Sequence, residues 1–199
     1  MPQPIRPPSS EGVQSSGISW GPDIVLQRPD LALKIASIIT NWVLVEDSLQ
    51  FYYGLLMGEY LPLERFDSGT TTLPPTHPVA FQIFKEVESF RARTGLVDAL
   101  AKWRLQEEDY NVLATLVMPQ LNKAHRARNL IAHGHWGISA NRPDCILLIQ
   151  TFGHPVAYNS EDLHLISNQI LEAHGALNSI INAQYQRRVS LINHEATPY

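Results

Sequence analysis

Between Pro29 and Gly58 the chain keeps apolar side chains at helical spacing over about seven turns of 3.6 residues. Pro29 suits the first position of a helix, and Gly58 suits its C-terminal end. Because the apolar positions cover more than one side, this helix needs several neighbours or a subunit interface to bury them. They are Ile35, Ile38, Ile39, Trp42, Val45, Leu49, Tyr52, Tyr53 and Leu56.

Further helical patterns occupy the middle of the chain. One begins near Pro78 and resumes after an interruption at Gly95. Another begins among the acidic residues 107–109, which favour a helix N-terminus. We expect Pro119 to kink or divide this helix, and Gly134 to end it.

The pattern changes after Gly134. Residues 136–139 and 145–152 flank a turn at 141–144 and predict a short β-hairpin or two extended segments. A last helix then begins at a cap formed by Asn159 or Ser160. The fold class predicted is all-α, a bundle of four to five helices with a short β-hairpin insertion before the last helix.

Composition limits the number of domains and the class of protein. The 199 residues are 44% hydrophobic, which is enough for one core. We expect a flexible or draped N-terminal tail at 1–28, a helical domain at 29–187 and a C-terminal tail at 188–199. Ile18 and Trp20 could anchor the end of the first tail.

Charge and cysteine usage exclude several classes. The net charge of −4 argues against a protein that coats nucleic acid with a basic surface. The single cysteine, Cys145, lies in an apolar run and is expected to be a buried, inert thiol. The N-terminal residues contain no apolar segment of the kind a signal peptide needs, and no apolar run is long enough to span a membrane, so we expect a cytoplasmic protein without membrane contact.

Most of the recognisable chemistry lies in residues 128–137, which read Arg-Asn-Leu-Ile-Ala-His-Gly-His-Trp-Gly. On an ideal helix Asn129 and His133 share a face with His125, whereas Arg128 lies about 140° from His133. Arg128 falls instead on an apolar row. A long side chain, a distorted helix end or a second subunit would be needed to bring Arg128 and His133 together.

A local cationic patch surrounds these residues. No Asp or Glu occurs from Tyr110 to Pro143, which indicates a site for a phosphate-bearing ligand. The residues expected to bind phosphate or RNA there are Lys123, His125, Arg126 and His135.

The six residues Arg128–His133 resemble the Arg-x4-6-His motif of the HEPN family (higher eukaryotes and prokaryotes nucleotide-binding). The long first helix, with Trp42 to Leu49, and the Ala-His-Gly-His-Trp segment before a β excursion also look like bacterial members. The resemblance covers residues 29–187. One departure is His135, where members paired with a nucleotidyltransferase antitoxin often carry tyrosine.

The resemblance implies a metal-independent endoribonuclease, a hydrolase of a toxin–antitoxin or phage-defence type. His133 would act on the 2′-hydroxyl or the leaving group, Arg128 would stabilise phosphorane-like charge, and Asn129 would orient the histidine or the phosphate. It also implies a homodimer with facing motifs, RNA or a nucleotide as ligand, and an antitoxin protein as a further partner. No cofactor is expected.

Alternative interpretations remain open for each residue. Arg128 could be a structural arginine paired with Glu46 or Asp47, and His133 could bond a last-turn carbonyl. The histidine spacing fits no zinc signature, so no metal ligands are expected. At the level of the whole chain, the alternative to a nuclease is a non-catalytic HEPN-like dimeric binding or interaction module.

Overall fold

The computed structural model describes residues 17–21, 23–57, 78–149 and 155–195. Most of these residues are helical, and a four-stranded antiparallel sheet accompanies the helices. The prediction of a mainly helical chain is therefore confirmed. Predictions that concern Gly58, the tail up to residue 16 and residues 150–152 lie outside the described residues.

The described residues include six α-helices. The first begins at the predicted proline, and the fifth ends immediately before Gly134 as predicted. They are α1 Pro29–Met57, α2 Pro78–Glu86, α3 Phe90–Arg104, α4 Glu107–Val112, α5 Met118–His133 and α6 Ser160–Glu195.

The sheet is larger than the predicted hairpin. Its four strands pair in sequence order, all antiparallel. The hairpin of the second and third strands was predicted, whereas the two outer strands were not. The strands are β1 Ile18–Trp20, β2 His135–Ser139, β3 Arg142–Ile149 and β4 Val156–Tyr158.

The described residues divide into two compact units, the first within 1–43 and 120–173, and the second within 44–119 and 174–199. In the first unit, the buried side chains come from α1, α5, α6 and the sheet, and include Ile38, Leu121, Ile146 and Leu163. In the second unit, Tyr53 packs on Phe84 with ring centroids 4.8 Å apart. The candidate residues of α5 all belong to the first unit.

The interruption predicted at Gly95 is wrong, because α3 runs through that residue without a break. The helix boundary lies at residues 87–89, where the Ser89 hydroxyl caps α3 by accepting the Ala92 N–H at 3.1 Å. Arg93 Nε donates to the Val87 carbonyl at 2.7 Å, which satisfies backbone at the end of α2. A glycine inside a helix costs only about 1 kcal/mol, which is no more than the contribution of one N-terminal cap. The Ser89 cap therefore sets the helix boundary, and Gly95 does not.

Pro119 divides its helix as predicted. A wide π-helical turn, Leu113–Val117, separates α4 from α5 just before this proline. Proline has no N–H to donate, and its ring clashes with the carbonyl four residues earlier, which here is Thr115. A π-turn makes room for that ring while the chain remains helical.

The start of α6 is fixed by a reciprocal pair of hydrogen bonds. Asn159 Oδ1 accepts the Asp162 N–H at 2.9 Å, and Asp162 Oδ2 accepts the Asn159 N–H at 3.1 Å. This capping box confirms the predicted start. At its other end the helix continues to Glu195, so residues 188–195 extend α6 where a tail was predicted.

In residues 128–137, which we call the motif segment, two glycines are required by packing. A Cβ atom on Gly134 would overlap the buried Leu148 side chain of β3, and one on Gly137 would overlap the indole of Trp20 in β1. Trp20 pairs with Gly137 across the sheet. Ile18 and Trp20, suggested as an anchor for the end of the N-terminal tail, therefore belong to strand β1. Neither glycine has a positive φ. Both positions therefore need glycine for its lack of a side chain, because Leu148 and Trp20 fill the space.

We expect Gly134→Ala to destabilise the protein by about 1–3 kcal/mol, because the new methyl group overpacks Leu148. Gly95→Ala is the matched control, since its Cβ meets nothing within 4 Å, and it should stabilise by up to ~1 kcal/mol. Urea unfolding followed by circular dichroism measures both changes. Equal effects of the two substitutions would contradict the packing role of Gly134.

Candidate functional site

Helix α5 places its residues on two distinct rows. Leu121, Ala124 and Ile131 are fully buried, and Arg128 follows the same helical spacing. Arg128 is accordingly half-buried, and its Nε atom is buried. A guanidinium on the core-facing row must find an acceptor close by.

The acceptor is the side chain of the next residue. Arg128 Nη1 donates to Asn129 Oδ1 at 3.1 Å. The other end of the same amide, Nδ2, lies 3.0 Å from His125 Nε2 one turn earlier. The three residues therefore form a continuous hydrogen-bonded chain, which we call the Arg–Asn–His chain.

Helix α1 supports the histidine end of this chain. The Trp42 indole is 1% exposed, and its ring lies 5.5 Å from the His125 ring at an angle of 39°. A tilted contact of this kind restricts the imidazole plane. The Arg–Asn–His chain thus has one end fixed against buried tryptophan and the other end at a guanidinium.

One edge of that guanidinium has no protein partner. The Nε atom of Arg128 makes no hydrogen bond within the described part of the chain. With Nη1 held by Asn129, the Nε–Nη2 edge remains for a ligand, which must displace the side chains that now bury Nε. That edge carries two parallel N–H groups, the geometry that grips a carboxylate or phosphate in bidentate fashion.

His133 lies one turn beyond Asn129, at the last position of α5. Its side chain is exposed and makes no hydrogen bond to any described residue, so the alternative of a bond to a last-turn carbonyl is not seen. Four residues of helix separate Asn129 from His133 by about 6 Å along the axis. The long arginine side chain thus reaches the histidine face through Asn129, while the structure forms no direct Arg128–His133 bond.

The remaining predicted binding residues are separate side chains on the surface. Lys123, Arg126 and His135 are exposed, and none of them bonds to the Arg–Asn–His chain. His125 differs from them because it is half-buried and belongs to that chain. The spacing of His125 and Asn129, four residues apart on a helix, was the sequence signal for this contact.

The structure also bears on the other interpretations of residues 128–137, beginning with the proposed ion pair of Arg128. Glu46, suggested as a structural partner of Arg128, pairs with Arg93 at 3.6 Å. No three His, Cys, Asp or Glu side chains converge as a metal site among the described residues. Trp136 is half-buried in β2.

Comparison of the chain with protein-family models, with curated proteins and with solved structures found no match in any of the three. No helix in the described ranges is long and apolar enough to cross a membrane. The chemistry of the α5 residues therefore carries the functional interpretation.

Cys145 is not part of the candidate site. Its side chain is 7% exposed, in a cluster with Leu147, Ala157 and Ile18. Burial raises the pKa of the Cys145 thiol, and the neighbouring Asp144 carboxylate raises it further. The native fold thus disfavours the thiolate, which is the nucleophilic form.

We expect the native protein to react with iodoacetamide at Cys145 about 10-fold or more slowly than the urea-unfolded chain, as for a buried, inert thiol. The contribution of the protonated thiol to the free energy of unfolding is complete below about pH 8.5, the pKa of free cysteine. It is lost as the pH rises through the higher pKa of Cys145 in the native state. Mass spectrometry of labelling against time measures the ratio. Equal rates in the two states would contradict the burial of Cys145.

Proposed function

We propose that this chain is an RNA-directed protein of the HEPN-like helical-bundle type, acting as a metal-independent endoribonuclease of a toxin or phage-defence system. The observation that carries the proposal is the Arg128 guanidinium, whose Nη1 is held by Asn129 while its buried Nε has no hydrogen-bond partner among the described residues. An arginine fixed in this way is suited to a phosphodiester oxygen.

The surroundings of Arg128 support the same ligand. The segment from Tyr110 to Pro143 contains no carboxylate, so nothing in it competes for the guanidinium. Lys123 and Arg126 on the same helix are exposed and add positive charge. An acidic protein thus presents one local surface to which a polyanion can bind.

His133 supplies the proton chemistry in the proposed mechanism. Its imidazole removes the proton of the RNA 2′-hydroxyl or donates one to the departing 5′-oxygen. The 2′-oxygen attacks phosphorus, the P–O5′ bond breaks, and the products are a 2′,3′-cyclic phosphate and a 5′-hydroxyl. Arg128 stabilises the negative charge that builds up on the non-bridging oxygens.

A second copy of the chain completes the proposal. One α5 carries Arg128 and His133 on different rows, about 140° apart. In a two-fold homodimer that packs α5 near its copy, His133 of one protomer could serve the phosphate held by Arg128 of the other. We place this dimer in the cytoplasm, controlled by an antitoxin protein.

The decisive experiment is RNA cleavage in EDTA by the wild type, His133→Ala and Arg128→Ala. We expect each substitution to lower the cleavage rate by roughly 100-fold or more, because one removes the proton-transfer group and the other removes stabilisation of the phosphorane. His164→Ala is the matched control, since it removes a histidine that, like His133, is exposed on a helix. Cleavage that persists in both site variants would exclude this mechanism.

A non-catalytic RNA-binding module is the second candidate. The observation that favours it is the absence of a direct bond between half-buried Arg128 and exposed His133. It predicts binding without turnover. In that case Arg128→Ala should reduce the slope of log affinity against log salt by about one, whereas His133→Ala should leave the slope unchanged at a pH where histidine is neutral. Fluorescence anisotropy with a labelled RNA at several salt concentrations measures both slopes.

A further inference from the structure

The Asn129 amide can take only one orientation. Arginine has donors and no acceptor, so the atom facing Arg128 Nη1 must be the amide oxygen. The amide nitrogen then faces His125, and this group can only donate. Arg128 therefore determines which atoms donate and which accept throughout the Arg–Asn–His chain.

This direction determines the state of the imidazole. Because Asn129 Nδ2 donates to His125 Nε2, that ring nitrogen must carry a lone pair rather than a proton. The ring in this structure is therefore neutral, with its proton on Nδ1. Trp42 packs against the same ring and fixes the plane in which the Nε2 lone pair points.

We propose that His125, as the Nδ1–H tautomer, is the positioning residue of the site: it holds the Asn129 amide so that Asn129 holds the Nη1 end of Arg128. The proposal rests on the proposed function for the identity of the ligand, an RNA phosphate. It assigns His125 a role different from surface phosphate binding, since Nε2 is occupied by the amide and the ring is half-buried.

Two other pairs in the protein show what is specific to this one. His164 Nε2 lies 3.1 Å from Asn168 Nδ2, and His174 Nε2 lies 2.8 Å from Asn178 Nδ2. In the described part of the chain, no side chain donates to the oxygen of either amide. Those amides can turn over and accept from a protonated Nε2 at no cost to a third residue. Only Asn129 is held by an arginine.

The consequence for Arg128 is geometric. A guanidinium tied at Nη1 keeps its Nε–Nη2 edge in one direction, so less side-chain freedom is lost when an oxyanion binds. If His125 no longer accepts, Asn129 can rotate, and the arginine loses the acceptor that holds it. His125 therefore acts on the ligand through two side chains without touching it.

The first test reads the tautomer directly and needs no ligand. Imidazole ¹⁵N NMR of the wild type at about pH 8, where unperturbed histidine is neutral, should show a protonated Nδ1 and an unprotonated Nε2 for His125. The signal is assigned by its loss in His125→Gln. In Arg128→Ala the amide is free to turn, so we expect a mixture of tautomers. A protonated Nε2 in the wild type would overturn the proposal. So would His125 ¹⁵N chemical shifts that are the same in Arg128→Ala as in the wild type.

The second test measures the effect on binding. The probe is a fluorescein-labelled 2′-O-methyl oligouridine, which cannot be cleaved through a 2′-hydroxyl. His125→Ala should weaken binding about tenfold, the effect of one hydrogen bond to a charged group. His125→Gln, which keeps an acceptor, should restore affinity to within about twofold of the wild type, and His164→Ala should stay within the same range.

A double substitution separates positioning from general loss of structure. His125→Ala should cost nothing further in an Arg128→Ala background, because both remove the same interaction. Additive losses, or no rescue by His125→Gln, would overturn the positioning role. If the wild type neither binds nor cleaves RNA, the proposed function fails, and the NMR measurement still decides whether His125 controls Asn129 and Arg128.

Discussion

The hydrogen bond from Arg128 to Asn129 is the interaction on which the candidate site depends. The arginine occupies a row of α5 whose other members, such as Leu121 and Ala124, are buried, and a charge in that position needs a partner. Asn129 provides one without adding a negative charge, so the guanidinium keeps its full attraction for an anion. A carboxylate partner would have neutralised it. The choice of an amide is what makes this arginine suitable for a ligand as well as for the fold.

The surrounding fold holds this arrangement from both ends. Trp42 of α1 lies against His125, and β2 begins two residues after His133, directly after Gly134, which Leu148 crowds. The motif segment therefore has two parts with different tasks. Its first half, on α5, carries Arg128 bonded to Asn129 and the exposed His133. Its second half, from Gly134 to Gly137, carries glycines that let β2 approach β3 and Trp20. Sequence proximity alone had grouped these parts as one chemical motif.

Much of the fold follows from periodicity and from helix-terminal signals. The long pattern after Pro29, the acids before α4, Pro119 and the Asn159 cap each act within a few residues, so they could be read from the sequence. Strand β1 could not, because three residues acquire their conformation only by pairing with β2, which lies far along the chain. The break expected at Gly95 was wrong for a different reason: a helix tolerates one glycine at a cost of about 1 kcal/mol, and the Ser89 cap sets where α3 begins.

For the site, helical geometry predicted that Asn129, His133 and His125 share a face and that Arg128 does not. It could not predict that the arginine side chain bends back to Asn129, since that depends on rotamers and on burial. The most direct measurement is a crystal structure with a 2′-O-methyl oligonucleotide bound. The account predicts a phosphate oxygen within hydrogen-bond distance of Arg128 Nε, with the Arg–Asn–His chain intact. A phosphate bound elsewhere, with Arg128 Nε still without a ligand, would contradict it.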